Sequence, residues 1–424
     1  MKPIYLFAGI ISLLSFNSCK EDQKTSILPV KESPIQAEAL TVSEHLPLIA
    51  KQDSNLIEIQ VPNGTSNYPL EYTKTYIPLE TTEECLIGNI DKIIDSDTCF
   101  YIADFDNNNV FRFGRSGCFI NSFTKKGRGP GECVGICDFY VDQDNNEVCI
   151  LDLRGMKLLY YSLDGKYLRE TPFYYHYNEF ALSGDYLWIY TGMNDNHDCA
   201  VVNQYELIRA KKDQTPLAKA LPYPKDYVRE SPDILHHIIT VGNINYFTHA
   251  LNDTIWQATS DGKLEAKFVF KVDNNDYIFK PKDMHHITSE RMQEIESNTD
   301  IPRFQFATKD FVYAYVKQKG RRQLEPMIYS RNTGHILYKC DFSLYVQNLK
   351  DDPCGPCLED IQINSLDLDF ALQDGSLVRI LQPARILELH KDPKSYLNKA
   401  DRLLYNSLNE EDNPVLVLFH LKPF

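Results

Sequence analysis

Apolar and polar positions along the chain fall into short runs broken by tight turns, with few long helical periods. Four segments superpose: Val110 to Phe119, Leu158 to Tyr167, Ile255 to Leu264 and Met327 to Ile336. In each, an apolar residue stands seven positions before a glycine (Gly117, Gly165, Gly262, Gly334) and another two positions after it. This is the pattern of a strand, a turn whose glycine supplies φ > 0, and a returning strand that resumes its inward face. Asp164-Gly165 and Asp261-Gly262 add the strongest short hairpin signal.

The glycines lie 48, 97 and 72 residues apart. The first interval is one four-stranded unit, the second close to two, and the third one unit with an insertion. Pro281 to Thr299 supplies that insertion and reads as a short amphipathic helix. A degenerate unit is expected over Asn178 to Asp213, with Tyr186 to Tyr190 as a strand. A sixth runs from Ile363 through Leu368–Leu372 and Leu377–Leu381, is interrupted by a helix near Lys394 to Leu408, and ends at Val415–Phe419. Six such units predict an all-β chain: a six-bladed β-propeller with short helical insertions, an architecture that removes exposed sheet edges by forming a ring. Tyr72 to Leu79 has strand character and is expected to close the ring as the outer strand of the last blade.

Composition sharpens this picture. The chain holds 26 Tyr and 22 Phe but 2 Trp, which suits pleated, half-buried strands. Its 43% hydrophobic and 24% charged content is that of a folding domain. A net charge of −15 repels a phosphate backbone and argues against nucleic-acid binding.

The N-terminus reads as an address. Lys2 precedes an apolar run from Ile4 to Phe16, too short to span a bilayer, and then Ser18-Cys19. The small residue before Cys19 resembles the lipobox of bacterial lipoproteins. That resemblance implies a signal peptide over 1–18 and lipidation of Cys19. Lys20-Glu21-Asp22 resembles the signal that sends some lipoproteins of Bacteroides-type bacteria to the outer face of the outer membrane. Polar, proline-dotted residues 19–56 then read as the lipidated N-terminus and a flexible tether, and 57–424 as the propeller. Lipid is the expected membrane attachment.

Two stretches go beyond architecture. Tyr76-Ile-Pro-Leu-Glu-Thr81 with Leu86-Ile-Gly-Asn-Ile-Asp-Lys-Ile93, and Phe123 to Glu132 with Phe139-Tyr-Val-Asp142, resemble the six-bladed, NHL-repeat-like propeller lipoproteins of Bacteroides-type bacteria. Asn413-Pro414-Val-Leu-Val417 is similar to that family's final strand. Asp104 and Asp152, each thirteen residues before its unit's glycine, are similar to the repeat's turn aspartate. The resemblance runs from about Tyr72 to Phe424 and implies a fold and a location, with little chemistry.

Candidate sites are few. Gly127-Arg-Gly-Pro-Gly-Glu132 could cradle a phosphate on backbone N–H groups with Arg128 as a second contact, but its spacing matches neither known phosphate loop. The favoured reading is a rigid interblade turn in which Arg128 and Glu132 tie neighbours together. Cys354-Gly-Pro-Cys357 copies a thioredoxin redox loop without the βαβ setting, so a local disulfide or a free pair is the plainer expectation. Cys133 and Cys137 are another close pair. His236-His237 and His285-His286 have no third ligand at metal spacing and are expected to be surface or loop residues, so no metal or cofactor is assigned. Phe173-Tyr-Tyr-His-Tyr177 could stack on sugars, though its period suits packing better.

The functional expectation is a cell-envelope propeller that binds or scaffolds a glycan, a peptide or a partner envelope protein. The alternative is a lactonase-like, metal-dependent hydrolase or lyase at the channel mouth.

Overall fold

The structure is a computed structural model that describes residues 46–47, 49–66, 71–192, 196, 199, 201–222, 236–248, 253–273, 289–321, 324–338, 368–389 and 399–424. Two strands, β1 (Ala50–Gln60) and β2 (Tyr72–Pro78), precede the first complete blade. Blade 1 is β3 (Lys92–Asp95), β4 (Cys99–Asp104), β5 (Asn109–Gly114) and β6 (Phe119–Ser122). A two-stranded ribbon, β7 (Lys125–Lys126) and β8 (Glu132–Cys133), leads to blade 2: β9 (Ile136–Asp142), β10 (Glu147–Asp152), β11 (Lys157–Ser162) and β12 (Tyr167–Pro172). Blade 3 holds β13 (Glu179–Ser183), β14 (Tyr186–Tyr190), β15 (Tyr205–Ala210) and β16 (Pro216–Pro222). Blade 4 holds β17 (Ile238–Val241), β18 (Ile244–Phe247), β19 (Thr254–Ala258) and β20 (Leu264–Lys271). Blade 5 comprises β21 (Ile301–Ala307), β22 (Phe311–Lys317), β23 (Leu324–Ser330) and β24 (Ile336–Tyr338). Blade 6 comprises β25 (Phe370–Ala371), β26 (Leu377–Leu381), β27 (Val415–Leu421) and, as its outer strand, β2.

The ring closes where the sequence predicts. β2 lies antiparallel to β27 in unbroken register from Tyr72↔Leu421 to Pro78↔Val415. Asn413 pins the closure: its Nδ2 donates to the Glu80 and Cys85 carbonyls at 2.7 Å each, and its Oδ1 accepts from Ile87 N at 2.8 Å. The resemblance-bearing stretches Tyr76–Thr81, Leu86–Ile93 and Asn413–Val417 thus meet at the closure. Asp104 and Asp152 play matching parts. Asp104 accepts from the backbone N–H of Gly88 at 2.7 Å and of Asn107 at 3.0 Å. Asp152 accepts from Gly135 at 2.9 Å and Gly155 at 2.8 Å. Each fully buried carboxylate fastens a turn to the segment entering its own blade.

Packing explains why the middle strands read as continuous apolar runs. A blade is covered on both faces, so both sides of a strand must be apolar. In β10, Val148 and Ile150 pack toward blade 1 while Cys149 and Leu151 pack toward blade 3. Six separate clusters of buried residues fill the six seams between neighbouring blades.

All four predicted glycines sit in the hairpin between third and fourth strands, with φ of 87°, 82°, 79° and 77° for Gly117, Gly165, Gly262 and Gly334. The degenerate blade 3 makes the same turn without glycine. Gln214 takes φ 68°, and the same two backbone bonds form, Lys211 N to Thr215 O and Gln214 N to Lys211 O, each 2.9 Å. Its side chain offsets the strained backbone: Oε1 accepts from Tyr177 Oη at 3.1 Å and Nε2 donates to the Pro172 carbonyl at 3.0 Å.

The N-terminal boundary differs from expectation. The sequence suggests a tether as far as residue 56, yet the chain joins the propeller sooner. Lys219 of β16 donates to Pro47 O at 3.1 Å and accepts from Ile49 N. β1 then adds to blade 4 as a fifth strand parallel to β20, and Ser66 bridges Tyr338 of β24 before β2 enters blade 6. This segment is a belt along the outer edges of blades 3, 4, 5 and 6, which covers backbone groups that would otherwise invite aggregation. The two remaining edges are protected differently. Glu80 accepts from Phe119 N of β6, and β12 carries a bulge, paired charges and Pro172. Helices occupy Ser289–Asn298, Pro383–Leu389 and Lys399–Ser407, so the two anticipated insertions are present and one further short helix joins them. Residues 281–288 and 394–398 of the anticipated helices lie outside the described residues.

Candidate functional site

Connections in an antiparallel blade alternate between its two ends. The turns between first and second and between third and fourth strands share one face, and none exceeds five residues. Connections between second and third strands, and all crossings to the next blade, share the other. The strand ends that bound the long connections 191–204, 223–237, 272–300, 339–369 and 382–414 all lie on that face.

The innermost strands begin at this long-loop face, and there the channel mouth carries a polar network. Lys92, first in β3, sets its Nζ 2.6 Å from Asp138 Oδ1 of β9 and 3.1 Å from the Phe139 carbonyl. Asp138 Oδ2 accepts from Phe180 N of blade 3 at 2.9 Å. Glu179, first in β13, accepts from the His237 and Ile238 N–H groups at 2.8 Å each, and its Oε1 is 2.9 Å from His237 Nδ1. The His237 ring stacks on Tyr190, centroids 4.2 Å apart and planes 13° apart. The chain of contacts thus runs from blade 1 to blade 4, one seam at a time.

The two carboxylates are tuned in opposite directions. Burial pushes Asp138 above the usual range, partly opposed by Lys92 and reinforced by the Glu179 charge. Burial would also raise Glu179, but hydrogen bonding and charge from His237, with the Ile238 N–H, hold it below its ordinary value. Both are consumed in fastening blades. At the short-turn face the channel is drawn together. Gln373 of blade 6 donates from its backbone to Asp95 of blade 1 at 3.1 Å and leaves no room for a side chain at Gly242 of blade 4, where a Cβ would lie 2.5 Å from Gln373 Cβ. Arg115 pairs with Asp95 at 2.7 Å.

Sequence reasoning missed this network. The available signal was a lone polar residue inside an apolar run, as in Ile136-Cys-Asp138-Phe-Tyr-Val. His237 lies in the loop just before β17 but is 6% exposed and paired, whereas His236 beside it is exposed, as their opposite projections require. His285 and His286 lie outside the described residues.

The glycine-rich loop is filled from within. Glu132 Oε2 accepts from Gly129 N at 2.8 Å, Glu132 N donates to Gly129 O at 3.0 Å, and Gly127 N donates to Cys133 O at 3.0 Å. A Cβ at Gly127 would strike the Glu132 carboxylate. The cradle suggested for a phosphate therefore holds the protein's own anion. Arg128 departs from the tie expected of it: the side chain is exposed and forms no ion pair among the described residues. Cys133 and Cys137 are free thiols, both pushed up to about 12 by burial first and by neighbouring carboxylates second. Phe173, Tyr175 and Tyr177 are buried in the seam between blades 2 and 3, so this cluster packs the interior. Cys354, Cys357 and Cys19 lie outside the described residues. Among the described residues, no three His, Cys, Asp or Glu side chains are grouped so as to hold a metal ion. No helix among them is long and apolar enough to cross a membrane.

Fold and seams together define a closed six-bladed propeller. Over residues 72–420 the chain matches a family described as a domain of unknown function, DUF4934, and it belongs to that family. No curated protein matches it. Among solved structures, a candidate exported protein from Bacteroides fragilis NCTC 9343 is similar at TM-score 0.66 and 18% identity, covering 87% of this chain and 99% of that one, which shows the shared fold. A DUF4221 family member from Bacteroides vulgatus ATCC 8482 gives TM-score 0.43 at 10% identity, covering 84% of this chain and 99% of that one. A streptogramin B lyase gives 0.36 at 10%, covering 83% and 98%. These last two resemblances are too loose to carry an argument.

Proposed function

We propose that this chain is an envelope lipoprotein, anchored through Cys19 in the outer membrane, whose propeller is a rigid scaffold that binds an extracytoplasmic ligand on its long-loop face. The observation that carries the binding reading is that Asp138 and Glu179, the axial carboxylates, are already fastened to Lys92, Phe180, His237 and Ile238. A metal-dependent hydrolase would need such groups turned toward a shared ion or substrate. Long connections gathered on one face of a rigid ring are the usual place for recognition. The lipobox-like Ser18-Cys19 and the charged Lys20-Glu21-Asp22 support the location, and the Bacteroides fragilis protein of like fold is itself a candidate exported protein.

The test is metabolic labelling with an alkyne palmitate in cells expressing the full chain, followed by protease shaving of intact cells. Wild type is expected to carry label and be shaved, and Cys19→Ala to lose the label. An unlabelled wild type would defeat the anchor. Metal-dependent turnover of lactones or esters by the purified chain would defeat the scaffold.

A further inference from the structure

Opposite the belt, the segment joining blades 1 and 2 presents an unusual surface for a chain of net charge −15. Lys125, Lys126 and Arg128 are all exposed on a loop whose inner side is locked by Glu132, by Gly127 N to Cys133 O, and by Tyr161 Oη donating to Gly131 O at 2.9 Å. Gly131, at φ 71°, lies against the Tyr167 ring, where a Cβ would come within 2.8 Å of it. Arg154, exposed on the next connection of the same face, lays its stem along Gly135, where a Cβ would come within 2.7 Å of Cδ. Four cations are thus exposed on backbone tied by internal hydrogen bonds, and none of them forms an ion pair among the described residues. Holding charges in place beforehand lowers the ordering cost when a ligand arrives.

We infer that this sector, Lys125, Lys126, Arg128 and Arg154, is a binding surface for an acidic polysaccharide. The inference deepens the scaffold reading by naming a ligand class, and it rests on that reading. Chemistry narrows the choice. Glu132 already takes the loop's inward N–H, so a single phosphate has no cradle to enter and must be met by outward charges alone. A partner protein ordinarily docks around buried aromatic or aliphatic anchors. Here the loop offers Lys, Lys, Arg and Pro130 to solvent. Separate point charges, with Met156 beside Arg154 as the one exposed large apolar side chain among them, fit a flexible chain with repeating carboxylates, met at several places.

The probe is polygalacturonate, titrated by calorimetry into the full-length chain in detergent, with neutral dextran and poly-L-glutamate in parallel. Wild type is expected to bind polygalacturonate in preference to both, and to lose at least about tenfold in affinity between ~50 and ~200 mM salt as contacts with several charges are screened. The quadruple reversal Lys125→Glu, Lys126→Glu, Arg128→Glu and Arg154→Glu should weaken binding more than about tenfold with an unchanged melting temperature. If that variant melts early, the four corresponding Gln substitutions decide on the same criterion. Absent binding, binding retained by the variants, or equal binding of dextran or polyglutamate overturns the assignment. None of these outcomes touches the scaffold reading, which fails instead on metal-dependent turnover.

Discussion

The two faces of the ring are built from different kinds of connection. At the short-turn face the backbone rules: the third-to-fourth hairpins of blades 1 to 4 repeat one pair of hydrogen bonds, blade 5 makes it one residue wider, and the axis is closed by Gln373, Asp95 and Gly242. At the long-loop face the connections vary from four residues between β4 and β5 to the helix-bearing 382–414, and side chains hold neighbours together. One face is interchangeable between blades and the other is individual. The difference teaches where to look for function, since a recognition surface must differ from blade to blade while a closing surface need not.

The largest expected effect comes from the individual face. Glu179→Ala leaves His237 buried without its carboxylate and should cost about 3–5 kcal/mol in denaturant unfolding, the range for removing one partner of a buried pair. A loss below about 1 kcal/mol would mean that the axial network does not hold blades 3 and 4 together.

Asn413→Ala follows, at about 2–3 kcal/mol, because the Glu80 and Cys85 carbonyls and the Ile87 N–H lose a buried partner at once. Its unfolding should begin at blade 6, read as faster amide exchange in β2 than in β10.

The short-turn face gives a paired test of smaller size. Gly117→Ala forces φ 87° on a side chain and drives a Cβ against the Pro78 carbonyl, which should destabilise by about 1–3 kcal/mol. Gln214→Gly relieves strain of about 1 kcal/mol. It also loses two buried hydrogen bonds worth about 1 kcal/mol each. A small net loss is expected; a stabilised variant would show that the side chain contributes nothing in return for its backbone.

Acidity sharpens the comparison further. Because the folded Glu179 carboxyl titrates below its ordinary value, its stabilisation is complete above the unfolded pKa of about 4.3 and is lost as pH falls through the folded value. Asp138, raised by burial, works the other way, its burial cost easing as pH falls through its raised value. The stability gap between wild type and Glu179→Gln should therefore narrow from pH 7 toward pH 3. A gap independent of pH would contradict the pairing with His237. Smallest of all, Arg128→Ala should change stability by less than about 0.5 kcal/mol, the size for an exposed side chain with no structural tie.

Much of the ring was legible in the sequence because the repeated turn is a local event. Gly117, Gly165, Gly262 and Gly334 announce it within ten residues each, and Tyr72–Leu79 shows closure as an unpaired strand. Blade 3 was visible only through Tyr186–Tyr190, since Gln214 replaces the marker residue and its compensation comes from Tyr177, 37 residues away. The belt escaped notice because parallel pairing to β20 depends on an edge formed some two hundred residues later. The axial network escaped for the same reason: its contacts join residues 46, 42 and 58 positions apart. Single polar residues at strand starts say nothing of their partners until the blades are placed side by side. The glycine-rich loop lies between blades 1 and 2, where Glu132 turns inward to the loop itself while Arg128 faces solvent, a division of roles that residue types alone do not show.

The central claim, that the axial carboxylates are structural and the propeller is a scaffold, is tested most directly by elemental analysis of the purified chain with thermal unfolding in Ca²⁺, Zn²⁺ and EDTA. The account predicts no stoichiometric metal and a melting temperature indifferent to all three additions. A bound metal whose removal lowers the melting temperature would contradict it and put a catalytic channel mouth in its place.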